Sequence, residues 1–291
     1  MTALWRIGGK TDVRSSFGGV ERFGLWESPT GLYFFDPPRE GDSLFYSRFY
    51  AWLKSWRLFD TETLREEFFM AAARISPDAR VLDVGSGRGA FRQCAPQDYT
   101  GLDPHFADSA IAPGVRNETL TQHLVTNESS YDAVCCFHVI EHVRDPKALF
   151  GEIMRAVKPG GLVCVSVPHV ASATTRIPNF LNNAPPHHLT WWTKNALIEL
   201  ANGAGAVAES VENVPWGKAD SLIYWMARLS PIKCTDVYYR ADIKWYFAML
   251  TSFVLGALAF RLFGAPRQMN EEGAALLLVA RRPAAAEIST G

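Results

Sequence analysis

Apolar positions along this chain follow two periods, and the change between them divides it into parts. Between residues 80 and 169, short apolar runs of strand length alternate with segments of helical period. The runs are Arg80–Val84, Tyr99–Leu102, a short one near Val115–Thr119, Ala133–Phe137 and Gly161–Val167. Ala133–Phe137 lacks polar alternation, which suits a parallel strand covered on both faces. A helix over Asn195–Gly203, a strand over Val207–Val214 and a last strand over Ala274–Ala280 complete the pattern. It predicts an α/β fold with a doubly wound, mostly parallel, seven-stranded sheet. Before it, residues 1–43 are rich in glycine and aromatics and suggest short strands and turns. Residues 44–59 read as a helix with Phe45, Phe49, Trp52, Leu53 and Trp56 along one face. A second helix follows Asp60-Thr61-Glu62-Thr63 and turns Leu64, Phe68, Phe69 and Ala72 to the core. The expected organisation is an N-terminal cap with lead-in helices (1–75), the core (76–215), a helical insertion (216–270), the last core strand (271–282) and a disordered tail (283–291).

Candidate chemistry enters at the first strand. Val81-Leu82-Asp83-Val84 runs into Gly85-Ser86-Gly87-Arg88-Gly89-Ala90, and about twenty residues later a second strand ends in Asp103. Glycines at a strand–helix junction let a ligand approach the backbone, and a carboxylate after the next strand meets a ribose hydroxyl pair. This is the pattern of a nucleoside-cofactor site. The glycine spacing alone also fits a dinucleotide fingerprint.

The second block removes much of that ambiguity. It comprises Tyr131–Phe137, then His138-Val139-Ile140-Glu141-His142, and the turn Lys158-Pro159-Gly160-Gly161 before the next strand. Together the two blocks resemble class I S-adenosylmethionine (SAM) dependent methyltransferases over residues 75–215. The resemblance implies a Rossmann-like methyltransferase fold with S-adenosyl-L-methionine as cofactor. It places Asp83, Gly85, Ser86, Gly87 and Gly89 around the methionine part, and Asp103 and Pro104 at the ribose. Glu118 (with Thr119) falls near the adenine, and Phe137 and His138 lie at the crevice after the fourth strand. Methyltransferases of ubiquinone biosynthesis are similar at Glu141 and His142 but carry Glu where this chain has His138. There the three side chains bind a divalent cation. Here two readings stand: Glu141 and His142 brace the loop, which is preferred, or His138, Glu141 and His142 hold an ion. No metal is therefore assigned.

His169 ends the fifth core strand, and Pro185-Pro186-His187-His188-Leu189-Thr190-Trp191-Trp192 follows. This segment resembles a Pro-x-His-x-x-x-Trp element that walls the substrate pocket in the same family. Histidine, with a pKa near neutrality, can take a proton from an attacking hydroxyl. His169, His188 and His187 are thus the expected catalytic residues, and His142 and Trp192 the expected substrate contacts. The alternative is that the histidines only hold the loop in place. An Asn-Pro-Pro-Tyr motif, which binds the planar nitrogen in amino-group methyltransferases, is replaced here by Phe137-His138-Val139-Ile140, so oxygen is the expected acceptor. The expected reaction is methyl transfer to a small or lipid-linked molecule. A catalytically inactive scaffold and, more remotely, an NAD-dependent dehydrogenase are the alternatives.

Composition bounds the partners. Of 291 residues, 48% are hydrophobic and 20% charged, enough for a sizeable core. A net charge of −1 gives no global field for nucleic acid, so none is expected as partner. The five cysteines form no C-x-x-C pair and read as reduced thiols of a cytoplasmic protein. Residues 1–93 contain none, so the zinc ribbon that precedes a similar Gly31–Pro37 segment in some relatives is not expected. In the insertion, Trp245–Phe260 is strongly apolar between Lys244 and Arg261. It reads as too short to span a bilayer. Burial against the domain or in a homodimer is the first expectation. In-plane contact with the inner membrane surface through 245–260 is the second.

Overall fold

The computed structural model describes residue 5 and residues 13–55, 64–105, 113–217, 220–264 and 273–284. Residues 285–291 of the expected tail and Trp56 lie outside the described residues, as do the side chains of Trp52 and Leu53. The chain forms two compact units. One comprises Met1–Asp60, Pro168–Thr193 and Val214–Ala275; the other comprises Thr61–Val167, Lys194–Asn213 and Leu276–Gly291.

In chain order the helices are α1 (Arg14–Phe17), α2 (Ser43–Ser55), α3 (Glu66–Ala72), α4 (Leu120–Asn127), α5 (Pro146–Ala156), α6 (Lys194–Gly203), α7 (Ser221–Leu229) and α8 (Ile243–Phe263). The strands are β1 (Gly24–Glu27), β2 (Tyr33–Asp36), β3 (Val81–Val84), β4 (Tyr99–Leu102), β5 (Val115–Arg116), β6 (Tyr131–Phe137), β7 (Val157–Pro168), β8 (Thr190–Trp191), β9 (Val207–Val214) and β10 (Ala275–Arg281).

The second unit is built on the seven-stranded sheet, ordered β5-β4-β3-β6-β7-β10-β9, in which the five strands from β5 across to β7 run parallel to one another. The strand order reverses between β3 and β6, so the crevice beyond their C-terminal ends is where a ligand binds in such sheets. β3 is buried along its whole length, and β6 in all but one residue. Parallel strands sheathed on both faces read as unbroken apolar runs for this reason. Local signals set the helix starts. Asp145 caps α5 through the Ala148 N–H, with Pro146 in its first turn. Thr119 and Gln122 form a reciprocal capping box on α4.

Three expectations shift here. The Lys158–Gly161 turn is instead a bulge inside β7: six residues of β7 (157 to 162) run against three of β6 (131 to 133), with Gly160 at φ 78° absorbing the excess. The third core strand is only two residues long, because the capping box starts α4 straight after Thr119. In α3 the buried face carries Glu67, Phe68 and Ala71, whereas Phe69 is exposed. The face turns because Glu67 has a partner inside, described below.

The first unit holds a three-stranded antiparallel sheet, β1-β2-β8, and an aromatic core of Trp5, Phe17, Phe45 and Phe49. It also holds the helix pair α7–α8, which shares a cluster of Ile177, Leu222, Met226 and Ala227.

Candidate functional site

In the sheet-bearing unit, the expected cofactor residues converge at the C-terminal ends of β3, β4 and β6. β3 ends at Val84, and Gly85, Gly87 and Gly89 then all adopt left-handed backbone, with φ of 70°, 56° and 81°. Gly85 is also sterically required. A Cβ there would lie 2.3 Å from Cγ2 of Val139, besides occupying a conformation that side chains resist. The loop is fastened to β4, because the Gly85 and Ser86 N–H groups both donate to the Leu102 carbonyl, at 2.8 and 3.0 Å. Only a four-residue 3₁₀ turn, Ala90–Gln93, follows, rather than the long helix such a loop usually opens.

Two buried carboxylates flank this loop. Asp103 accepts the Gly87 N–H at 3.0 Å on one oxygen and the His105 N–H at 2.9 Å on the other. Burial pushes its pKa up, and these two N–H groups pull against that. Each oxygen keeps a further lone pair, so the carboxylate can still take a pair of hydroxyl donors. Asp83 accepts the Tyr99 hydroxyl at 2.7 Å. Burial raises its pKa to about 7; the Tyr99 hydrogen bond opposes this and the Asp103 charge adds to it. A cation arriving beside Asp83 would restore its ionised form. Two buried carboxylates beside three left-handed glycines suit a ligand with an ammonium and a ribose.

His138 follows β6 with φ of 54°, a left-handed backbone rare for residues with a side chain and concentrated at functional sites. Its N–H donates to the Ser166 carbonyl of β7 at 3.0 Å. Its Nε2 lies 2.8 Å from Oε1 of Glu67, and its Nδ1 lies 3.3 Å from Oε1 of Glu141. Both carboxylates are buried. Burial and the Arg65 charge act against protonation of His138, but the two carboxylates outweigh them and push its pKa to about 9. Burial raises Glu67 in turn, yet His138 and Arg65 bring it down to about 2. Near neutral pH this favours His138 as an imidazolium that donates from both ring nitrogens to the two carboxylates. His142 Nε2 lies 3.9 Å from Oε1 of the same Glu141.

The other expected cofactor residues are engaged differently. Phe137 packs edge-on against Phe68 and Phe91, both with centroids 4.9 Å away. The Pro104 carbonyl accepts from Asn117 Nδ2 at 3.4 Å. Glu118 lies 2.8 Å from Nδ1 of buried His123, whose Nε2 meets the Tyr131 hydroxyl at 2.6 Å. A separate surface cleft lined by Lys147, Arg155, Glu199 and Arg282 contains none of the expected site residues.

The expected catalytic histidines belong to the other unit. His169 pairs with Trp192 in a parallel bridge, and its N–H donates to the Ala274 carbonyl at 3.0 Å. His187 and His188 stack with ring centroids 4.5 Å apart. His187 Nδ1 lies 2.9 Å from the Asn182 carbonyl, and its ring packs on Phe49 at 4.7 Å. A carbonyl only accepts, so Nδ1 carries the proton and Nε2 is the basic nitrogen. Trp192 is buried and donates from Nε1 to Thr190 Oγ1 at 3.0 Å.

Sequence reasoning missed two residues, Tyr99 and Glu67. Tyr99 carried no visible signal beyond opening a strand. Glu67 did: it stands next to Phe68 at the start of an amphipathic helix, on the face that packs inwards.

The sequence model of a methyltransferase domain matches residues 56–211. A ubiquinone biosynthesis O-methyltransferase of Klebsiella pneumoniae is 34% identical over 100 residues, 30% of this chain and 41% of the relative. The Xanthomonas oryzae pv. oryzae enzyme of the same name is 26% identical over 167 residues, 47% of this chain and 68% of its own length. The chain thus spans about two fifths of the first of these relatives. Among solved structures, a 1,6-didemethyltoxoflavin-N1-methyltransferase of Burkholderia thailandensis aligns with a TM-score of 0.50 at 15% identity, covering 91% of this chain and 97% of that one. A SAM-dependent methyltransferase of Archaeoglobus fulgidus aligns with a TM-score of 0.50 at 17% identity, covering 80% and 99%. At such identities these structures support the fold.

Proposed function

The chain belongs to the methyltransferase domain family, and on that premise we propose that it transfers a methyl group to an oxygen of a small or lipid-linked molecule. Its cofactor is S-adenosyl-L-methionine. When bound, that cofactor supplies a methyl group already activated by a sulfonium. The work left to the protein is to hold the parts, exclude water and manage one proton. The observation that carries the reading is the pair of buried carboxylates, Asp83 and Asp103, on either side of three left-handed glycines.

In this proposal Asp83 takes the ammonium of the methionine part, and the Gly85–Gly89 backbone lies along it with Ser86. Asp103 takes the ribose hydroxyls beside Pro104, and Glu118 falls near the adenine. Phe137, through its packing, and His138, through its fixed imidazolium, shape the crevice after β6. The proton of the acceptor hydroxyl goes to a histidine, with His169 and His188 ahead of His187, while His142 and Trp192 contact the acceptor. The similarity to O-methyltransferases of ubiquinone biosynthesis favours oxygen as the acceptor atom. The compartment proposed is the cytoplasm.

The test is calorimetric titration with S-adenosylhomocysteine, using NADH as the control. Wild type should bind the former and not the latter. Asp103→Ala removes the acceptor of two backbone N–H groups and two ribose hydroxyls. Hydrogen bonds to a charged group contribute about 1.5–3 kcal/mol each, so affinity should fall at least ~10-fold with far-UV circular dichroism unchanged. Wild-type affinity in that variant would remove the ribose assignment.

A further inference from the structure

The helix α8 has two faces of opposite character. Trp245, Ala248, Ser252, Gly256 and Ala259 form a buried stripe, mostly of small residues. Gly256 sits so close to α7 that a Cβ would lie 2.7 Å from Cγ of Met226 and 2.8 Å from its backbone nitrogen. The opposite stripe, Phe247, Leu250, Val254 and Leu258, is more than half exposed throughout, and Leu255 lies beside it. Between Lys244 and Arg261, every exposed residue of the helix is apolar. A helix bordering water carries charges on that face, and a continuous apolar stripe marks a surface that something covers.

The helix has 21 residues, about 31 Å at 1.5 Å per residue, which is longer than the apolar run seen in the sequence. It is long and apolar enough to cross a bilayer by length and composition. Topology opposes a single crossing, because β9 before it and β10 after it are neighbours in one sheet. The helix must enter and leave from the same side.

Charge decides between the remaining occupants. The helix proper contains Lys244 and Arg261, both exposed, and no carboxylate. The Asp242 cap is occupied with the Lys244 N–H at 2.7 Å. Two copies packed along this stripe would set Lys244 against Arg261 if antiparallel, or each cation against itself if parallel. Either arrangement opposes like charges at both ends. An anionic lipid surface accepts both cations while taking the apolar stripe.

We propose that α8 lies in the plane of an anionic lipid surface. The row Phe247, Leu250, Val254 and Leu258 enters the acyl boundary, and Lys244 and Arg261 reach the phosphates. This surface stands apart from the methyl-transfer reading and does not depend on it.

The test uses the full chain and flotation with vesicles of phosphatidylcholine, with and without phosphatidylglycerol. Binding should require phosphatidylglycerol and weaken with salt. Leu250→Glu with Leu258→Glu should abolish it. Lys244→Gln and Arg261→Gln should each weaken it about fivefold, at roughly 1 kcal/mol per cation. Circular dichroism and urea unfolding report that the variants remain folded. Absence of binding to either vesicle by the folded wild type overturns the proposal. So does a concentration-dependent dimer, seen by sedimentation, that the same glutamates abolish in place of vesicle binding.

Discussion

Glu67 and His138 show how a single residue can carry the logic of a site. The His138 imidazolium sits between two buried carboxylates, in a backbone conformation that costs free energy. Removing Glu67 takes the nearer of the two carboxylates from the imidazolium and leaves Glu141 as its one remaining buried counter-charge. Glu67→Gln should therefore destabilise the fold by on the order of 3 kcal/mol near pH 6. The pH dependence identifies the cause. The folded pKa of His138 is raised to about 9 from its ordinary value of 6.5, so its contribution is complete below about pH 6.5 and is lost as pH rises through 9. The folded pKa of Glu67 is lowered to about 2, so its contribution is complete above its ordinary value and lost only in strong acid. Urea unfolding at pH 6 and pH 9.5 should show the gap between wild type and variant closing at the higher pH. A gap of equal size at both would mean that Glu67 acts by packing alone. The sequence displayed His138 and Glu141 as a motif, but nothing local in it joins Glu67 to a histidine 71 positions away.

At the scale of elements, legibility followed the range of the forces involved. β6, α6 and β9 lie within a residue or two of their expected bounds, because burial on both faces and local caps write themselves into the sequence. The bulge in β7 could not be read, since a Pro-Gly-Gly triplet looks the same in a turn as beside a partner strand. The length of α8 was underread because Lys244 and Arg261 resembled boundaries, whereas the helix continues past both. Its two faces predict opposite responses to substitution. Gly256→Val would drive a branched side chain into the Met226 backbone and should cost about 1–3 kcal/mol as overpacking does. Val254→Ser, on the exposed stripe, should change unfolding free energy by within roughly 0.5 kcal/mol. Equal losses from both, measured in urea, would refute the assignment of buried and exposed faces.

For the molecule as a whole, cofactor affinity and stability are linked. Any ligand that binds only the folded chain stabilises it, by about 2.7 kcal/mol at a concentration of 100 times Kd. For a chain of this size that corresponds to a melting shift of roughly 5–10 °C, from about 2–4 °C per kcal/mol. S-adenosylhomocysteine at that concentration should produce such a shift at pH 8. Asp83 makes the shift depend on pH. Burial holds its carboxyl pKa at about 7, and taking an ammonium requires the ionised form, so binding below pH 7 must first expel a proton. The apo fold itself loses stability as pH rises between the ordinary and folded pKa values of Asp83. The informative quantity is therefore the difference with and without ligand at each pH. One coupled proton weakens affinity about tenfold per pH unit, so at pH 6 the same ligand concentration should give about half the shift seen at pH 8. Equal shifts at the two pH values would detach Asp83 from the ammonium while leaving the cofactor site in place. No shift at either would leave the carboxylates and glycines without a ligand. The separation is possible because the sequence marks both strand-end acids alike, whereas the fold gives Asp83 a tyrosine hydroxyl as partner and Asp103 two backbone N–H groups.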